Sequence, residues 1–352
     1  MAKKKVKKTV KKPVKSKKVS KKSKGKKNKK RGKKKKGGFG GLIIAVIIIA
    51  AVIGIAKLKG GDPVKYIKAD KIIEFGGTGE KTGQMNGPRG LAVSDDGFLY
   101  VADLQNNRVD KFTLNGESAG TVGEKGEKKG QFKEPSGVAV DKQNNLYVAD
   151  AWNGRMQKFD SKGRFVLEIG GEKAGFYSPR NVAVNSYGMV HVADTGTSRI
   201  HRFDTDGNRI GKPFGERGKA LGNFQEVFGI AFDSKKRVYV GDPGNMRVAV
   251  LSGDLKPEAS IKVKGWDTAK PMWPMVAVDS RDYLYAVSSG TQDIWVYDTK
   301  HPKFKYVGTI KTDSKGKNLF GNPLGIAIDA QDNIYISEVS KNTIVKIRPV
   351  FE

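Results

Sequence analysis

Four segments of the chain repeat one set of chemically capable side chains: an Asp, an Asn or Thr three residues on, and an Arg two further. The sets are Asp103/Asn106/Arg108, Asp150/Asn153/Arg155, Asp194/Thr197/Arg199 and Asp242/Asn245/Arg247. An aspartate at the start of a turn accepts backbone N–H groups, and an arginine five residues later can reach it as an ion pair. One ligand site does not need the same residues four times, so these sets are expected to hold a repeated loop in shape. The pattern breaks further on, at Ser288/Thr291/Asp293 and Glu338/Lys341/Thr343. A second series of carboxylates, Asp141, Asp233, Asp279 and Asp329, precedes short polar turns and reads as turn caps.

Other reactive chemistry is scarce. There is no cysteine, which excludes disulfides, thiol nucleophiles, thiolate zinc sites and iron–sulfur clusters. The three histidines are His191, His201 and His301. None falls in a strand expected to line an axis, so no metal set, cofactor or catalytic residue is assigned. Glycine-rich stretches such as GTGEKTGQMNGPRG join strand-like runs. They offer no helix N-terminus to hold a phosphate. What remains for binding is Arg89 and Arg180, which follow a recurrent proline, with Trp152, Trp266 and Trp273. Aromatic side chains beside arginine are the composition of protein and glycan contact surfaces. Tyr187 belongs to a different turn and is expected on the opposite face.

These residues sit in a repeat. Tyr100, Tyr147, His191 (in place of Tyr), Tyr239, Tyr285 and Tyr335 stand 47, 44, 48, 46 and 50 residues apart. Each unit reads P-x-G-φ-A-φ-D, a polar turn, then φ-Y-V-A-D-x-x-N-x-R-φ-x-x-F, where φ is apolar. The clearest copies are residues 88–113, 135–160 and 179–204. A period in the forties made of strand-like runs is the signature of a β-propeller. The first run of each unit is apolar at consecutive positions, as expected of a strand covered on both faces. Met85, Phe132, Phe176, Phe224 and Phe320 recur three residues before the proline position and are expected to plug between blades.

The pattern resembles the NHL repeat over roughly residues 71–350. The resemblance implies an all-β, six-bladed propeller with four strands per blade. Closure is legible as well: KIIEF (residues 71–75) followed by two glycines matches FVLEI (residues 165–169) followed by two glycines. The N-terminal segment is therefore expected to become the outer strand of the last blade, which removes an open edge.

The formal charge of +30 comes from 66 Lys+Arg against 36 Asp+Glu. Residues 1–36 hold 22 of the basic residues and no acid, leaving 44 against 36, a net +8, on the rest. The tail has too little apolar surface to offset chain entropy and is expected to be disordered. Residues 37–56 carry no charge, and at ~1.5 Å per residue they span roughly 30 Å as a helix. The chain is thus expected to divide into a cytoplasmic tail (1–36), a transmembrane signal-anchor helix (37–58), a linker (59–70) and a propeller (71–352). The basic residues before the helix place the N-terminus inside the cell and the propeller outside. Arg31 and Lys33, Lys34, Lys35 and Lys36 are the residues able to stay at an anionic membrane surface.

The function expected on this reading is a single-pass, membrane-tethered propeller. It would act as a binding, scaffold or sensor module for an extracytoplasmic protein, peptide or glycan, and not as an enzyme. The resemblance also implies an alternative, since some propellers of related type are lyases or lactonases with an axial metal. A second alternative is binding of polyanions or anionic lipid by the tail, with no sequence-specific nucleic-acid reading.

Overall fold

The computed structural model describes residues 64–170, 175–266 and 273–351. Six blades surround an axis. Blade 1 comprises Pro88–Val93, Phe98–Asp103, Arg108–Thr113 and Ser118–Val122, and blade 2 Pro135–Val140, Leu146–Asp150, Arg155–Phe159 and Phe165–Gly170. Blade 4 comprises Ile230–Phe232, Val238–Asp242, Arg247–Leu251 and Pro257–Lys262. Blade 5 runs Val276–Val278, Tyr283–Ser288, Asp293–Asp298 and Lys305–Asp313. Within each, successive strands pair antiparallel from the axis outward. Blade 3 has three strands, Pro179–Val184, Val190–Asp194 and Arg199–Phe203. Its outer edge is reduced to single bridges at Arg209 and Phe214. Pro213 lies in that stretch and has no N–H to give a ladder.

Blade 6 takes three strands from the C-terminal end, Pro323–Ile328, Ile334–Glu338 and Thr343–Val350. Its fourth is the N-terminal strand Tyr66–Gly76, which pairs antiparallel with Thr343–Val350. The expected closure is therefore present. The strand also begins earlier than expected and takes in part of the stretch read as linker. Tyr66 and Ile67 turn aside to pair in parallel with Thr309 and Ile310 of blade 5. One strand thus stitches the two blades into a single eight-stranded sheet.

The fold class expected from the sequence is corrected in one respect. No helix among the described residues is long and apolar enough to cross a membrane, so the observed architecture is all-β with no membrane helix in it. The span expected over residues 37–58, and the tail with Arg31 and Lys33 to Lys36, fall outside the described residues.

The core lies between blades. Second strands such as Leu146–Asp150 are buried at every position, because both of their faces are covered by neighbouring blades. Each inter-blade loop presses one large side chain into the seam: Met85, Phe132, Phe224 and Phe320 are buried and Phe176 partly so. At the axis the chains crowd together. A Cβ on Gly137 would lie 2.6 Å from the Cα of Asn181, and one on Gly90 would lie 2.8 Å from the Cα of Gly137. The blade-start glycine therefore lets one blade's backbone rest on the next.

Candidate binding site at the channel mouth

Blades 3 and 5 depart from the glycine rule, carrying Asn181 and Met275 at that position. These two side chains meet, with Asn181 Nδ2 3.3 Å from Met275 Sδ. They belong to the wall of an axial channel of about 230 Å³. The rest of the wall is largely aliphatic, with Leu91, Val138, Val182, Ile230, Val276 and Ile326 from the six first strands. Asn181 Oδ1 is buried there without a partner.

The residue before each blade-start position forms a ring at the mouth, one from each blade: Arg89, Ser136, Arg180, Phe228, Pro274 and Leu324. Half of this ring is polar and half apolar. Trp273 completes it, and with Leu104, Met275 and five of the ring residues it lines a small mouth pocket. The Arg89 guanidinium lies 4.3 Å from the centre of the Trp273 ring and that of Arg180 5.6 Å from it. Such cation–π contacts contribute about 0.5–2 kcal/mol each. Ser136 is committed, its hydroxyl donating to the Arg180 carbonyl at 2.7 Å.

Neither arginine makes an ion pair within 4 Å among the described residues, and Arg89 Nε is buried without an acceptor. Burial, followed by the charge of Arg180, pulls Arg89 down to about 10, and Glu134 offsets this only in part. Two cations without an ion pair beside an apolar surface make this a candidate receptor for an anion. The free space is about 10 Å³, at most the room one water needs, so a ligand would meet the guanidinium groups from the open face. In the loop before blade 4, the Glu226 carboxyl is raised by burial and by Asp242, against the opposing pull of Arg217 and Arg180.

Of the residues singled out from the sequence, Arg89, Arg180 and Trp273 come together here. Trp152 stands elsewhere, exposed in the short Ala151–Asn153 turn of blade 2. Trp266 is corrected from a surface residue to a core residue. It is fully buried, and its indole N–H donates to the Val287 carbonyl at 2.9 Å. Asn181, Met275 and Phe228 were not singled out. Their signal is positional: Asn and Met replace the axial glycine, and Phe occupies the ring slot.

The repeated Asp–Arg sets do hold loops. Asp103, Asp150 and Asp242 accept backbone N–H groups of Asn86, Lys133 and Gln225, each 17 residues earlier. Arg155 Nε donates to Asp150 at 2.8 Å, and Arg247 Nε to Asp242 at 3.0 Å. Their Nη2 groups donate to carbonyls of the preceding loop, at Gln131 and Asn223. Each set thus latches an inter-blade loop onto its blade. Arg108 approaches Asp103 at 3.5 Å and also Asp110 at 3.2 Å.

The third set is corrected. Asp194 does not pair with Arg199, whose side chain is exposed. Instead His201 sits beside the carboxylate, 3.6 Å from it, and Thr197 donates to it at 2.6 Å. His201 projects from the third strand in the slot that Gln157 fills in blade 2, and the edge of Phe176 packs against its ring.

The turn carboxylates are caps as expected. Asp141 accepts from the backbone of Gln143 and Asn145, and Asp329 from that of Gln331 and Asn333. An axial metal does not fit the residues present. No group of three or more His, Cys, Asp or Glu comes together among the described residues, and the channel wall is aliphatic.

Comparison with known proteins agrees with this architecture. The NHL repeat model matches residues 85–112 and 132–159, which fall in blades 1 and 2. No curated protein sequence matches the chain. Among solved structures, a gluconolactonase from Xanthomonas campestris superposes with a TM-score of 0.57 at 16% identity, covering 82% of this chain and 99% of that one. The PQQ-bound aldose sugar dehydrogenase of Streptomyces coelicolor gives 0.56 at 14%, covering 82% and 100%. Virginiamycin B lyase from Staphylococcus aureus gives 0.54 at 15%, covering 79% and 99%. At these identities the likeness is one of fold. Because a lactonase, a dehydrogenase and a lyase share it, the expectation that the chain is not an enzyme is withdrawn: the fold is one that enzymes also use. The chain carries NHL repeats on a six-bladed β-propeller.

Proposed function

We propose that this NHL-type propeller binds an organic anion at the mouth of its channel and acts on it as an enzyme. The carrying observation is the pair Arg89 and Arg180, both packed on Trp273 and neither ion-paired within the described fold. A carboxylate end would seat between the guanidinium groups. An apolar body would lie against Trp273, Phe228 and Leu324. Charge-assisted hydrogen bonds supply the affinity, and the apolar half of the ring selects the body.

Turnover is favoured over passive binding by two things. The fold is shared with a lyase, a lactonase and a dehydrogenase. Glu226 also holds a carboxyl above its ordinary range close to Arg180. A carboxyl so poised suits proton transfer to or from a bound anion. Glu226, within electrostatic reach of Arg180, is the group we assign to proton transfer on a substrate oriented by the two arginines.

Purified protein should bind apolar carboxylates such as benzoate or hexanoate more tightly than the matching amides. Arg180→Ala should remove that preference. Cyclic esters and acids that bind should then be screened for turnover, where Glu226→Gln is expected to keep binding and lose product formation. Product formation at the wild-type rate by E226Q would refute the assignment of the proton to this group.

A further inference from the structure

The axial channel below the mouth has a wall without charge. Leu91, Val138, Val182, Ile230, Val276 and Ile326 stand in it, and no Asp, Glu, Lys, Arg or His lines it. Each first strand lies at the end of its sheet, so its inner edge also turns backbone N–H and C=O groups to the axis. These are donors and acceptors alike, and they select no charge.

One side chain in the wall does discriminate. Among the lining residues, only Asn181 carries a side-chain nitrogen or oxygen. It is 8% exposed, and it holds the slot that glycine fills in blades 1, 2, 4 and 6. Its Nδ2 lies 3.3 Å from Met275 Sδ. A thioether sulfur accepts and cannot donate, so the amide nitrogen faces it and Oδ1 is left over. Oδ1 is buried and has no partner.

Met275 lines both the channel and the small mouth pocket, whereas Arg89 and Arg180 line only the pocket. The Asn181–Met275 contact therefore lies where the two spaces meet, and the arginines stay outside the channel. An apolar cavity of ~150 Å³ takes a benzene-sized molecule. The channel offers about 230 Å³.

We propose that the channel is a second binding site and takes a small neutral aliphatic alcohol, with its hydroxyl on Asn181. The hydroxyl donates its proton to Oδ1, and its oxygen accepts from a strand-edge N–H. The alkyl chain lies along the aliphatic wall. A carboxylate has no proton to give Oδ1 and meets no cation in the wall. An ammonium has protons to give but would be buried without a counter-charge. An ether of the same length accepts only and leaves Oδ1 bare. The two arginines take no part, so the site is independent of anion binding at the mouth.

The test is a titration of the full-length protein with 1-hexanol and with hexyl methyl ether, read by the NMR shifts of the Asn181 side-chain amide. The alcohol should move that amide and bind about 10-fold more tightly than the ether. Hexanoate should not displace the alcohol, whether or not it binds at the mouth. Asn181→Gly installs the residue that four other blades carry. In that variant, followed by calorimetry, alcohol and ether should bind alike. The comparison of alcohol with ether in the wild type decides the matter even if the variant fails to fold. The proposal is overturned if the alcohol leaves the Asn181 amide unmoved, showing that the channel holds water only. It is also overturned if the ether binds as tightly as the alcohol, if hexanoate displaces the alcohol, or if N181G keeps the wild-type preference.

Discussion

Asp110 shows how a single residue can set a pH dependence. It is buried beside Asp103, and burial, followed by the neighbouring carboxylate, raises it to about 8 despite Arg108. In the unfolded chain it titrates near its ordinary value of 3.8. The folded form therefore holds a proton that the unfolded form releases. Its contribution to stability is complete below about pH 4 and is lost as pH rises through about 8. Asp110→Asn should flatten the fall in melting temperature between those values, measured by thermal unfolding across pH. Equal slopes in variant and wild type would show that the two carboxylates do not share a proton.

The mouth residues were partly legible in the sequence. Arg89 and Arg180 announce themselves by following the blade-start proline, and Trp273 by its unusual setting. Their convergence was not legible, because it depends on three blades meeting around a ring. Trp266 misled for the converse reason: its local sequence looks like an exposed loop, but Val287 of the neighbouring blade closes over it. Arg199 misled because His201, two positions on in the same strand, is the residue that stands beside Asp194.

At the scale of elements, the first strands depend on glycine. Gly137 has no room for a side chain against Asn181, and its neighbours there are backbone atoms that cannot rotate away. Gly137→Val should cost about 1–3 kcal/mol or more in chemical unfolding. The same change at Gly97, whose Cβ position is open but whose φ is +85°, should act only through backbone strain. If G137V unfolds at the same denaturant concentration as wild type, the blades do not rest on each other as described. Period and apolar runs made these strands readable in advance. The failure of blade 3 to complete a fourth strand was not foreseen, although Pro213 marks the place.

At the scale of the molecule, the ring is held by one strand from the far end of the chain. Ala69 and Ile67 of that strand are buried in the cluster shared by blades 5 and 6. Ala69→Asp buries a charge without a partner and should cost about 3 kcal/mol or more. Because the strand joins two blades, calorimetry should show the whole propeller losing stability together. Blades 5 and 6 melting separately while the rest keeps its wild-type transition would contradict closure by this strand. The sequence match between residues 71–75 and 165–169 foretold the closure. The added parallel pairing to blade 5 left no periodic trace, since it uses only Tyr66, Ile67 and Ala69.

The closed ring brings one residue from each blade to a common mouth, where we propose that an anion binds. The most direct test of that claim is calorimetric titration of an apolar carboxylate into wild type, Arg180→Ala and Arg89→Ala. Wild type should bind it with an affinity that falls as salt is raised, and each substitution should weaken binding at least ~10-fold without altering the melting curve. Equal affinity for the carboxylate and its neutral amide, or unchanged binding in both variants, would contradict an anion site at the channel mouth.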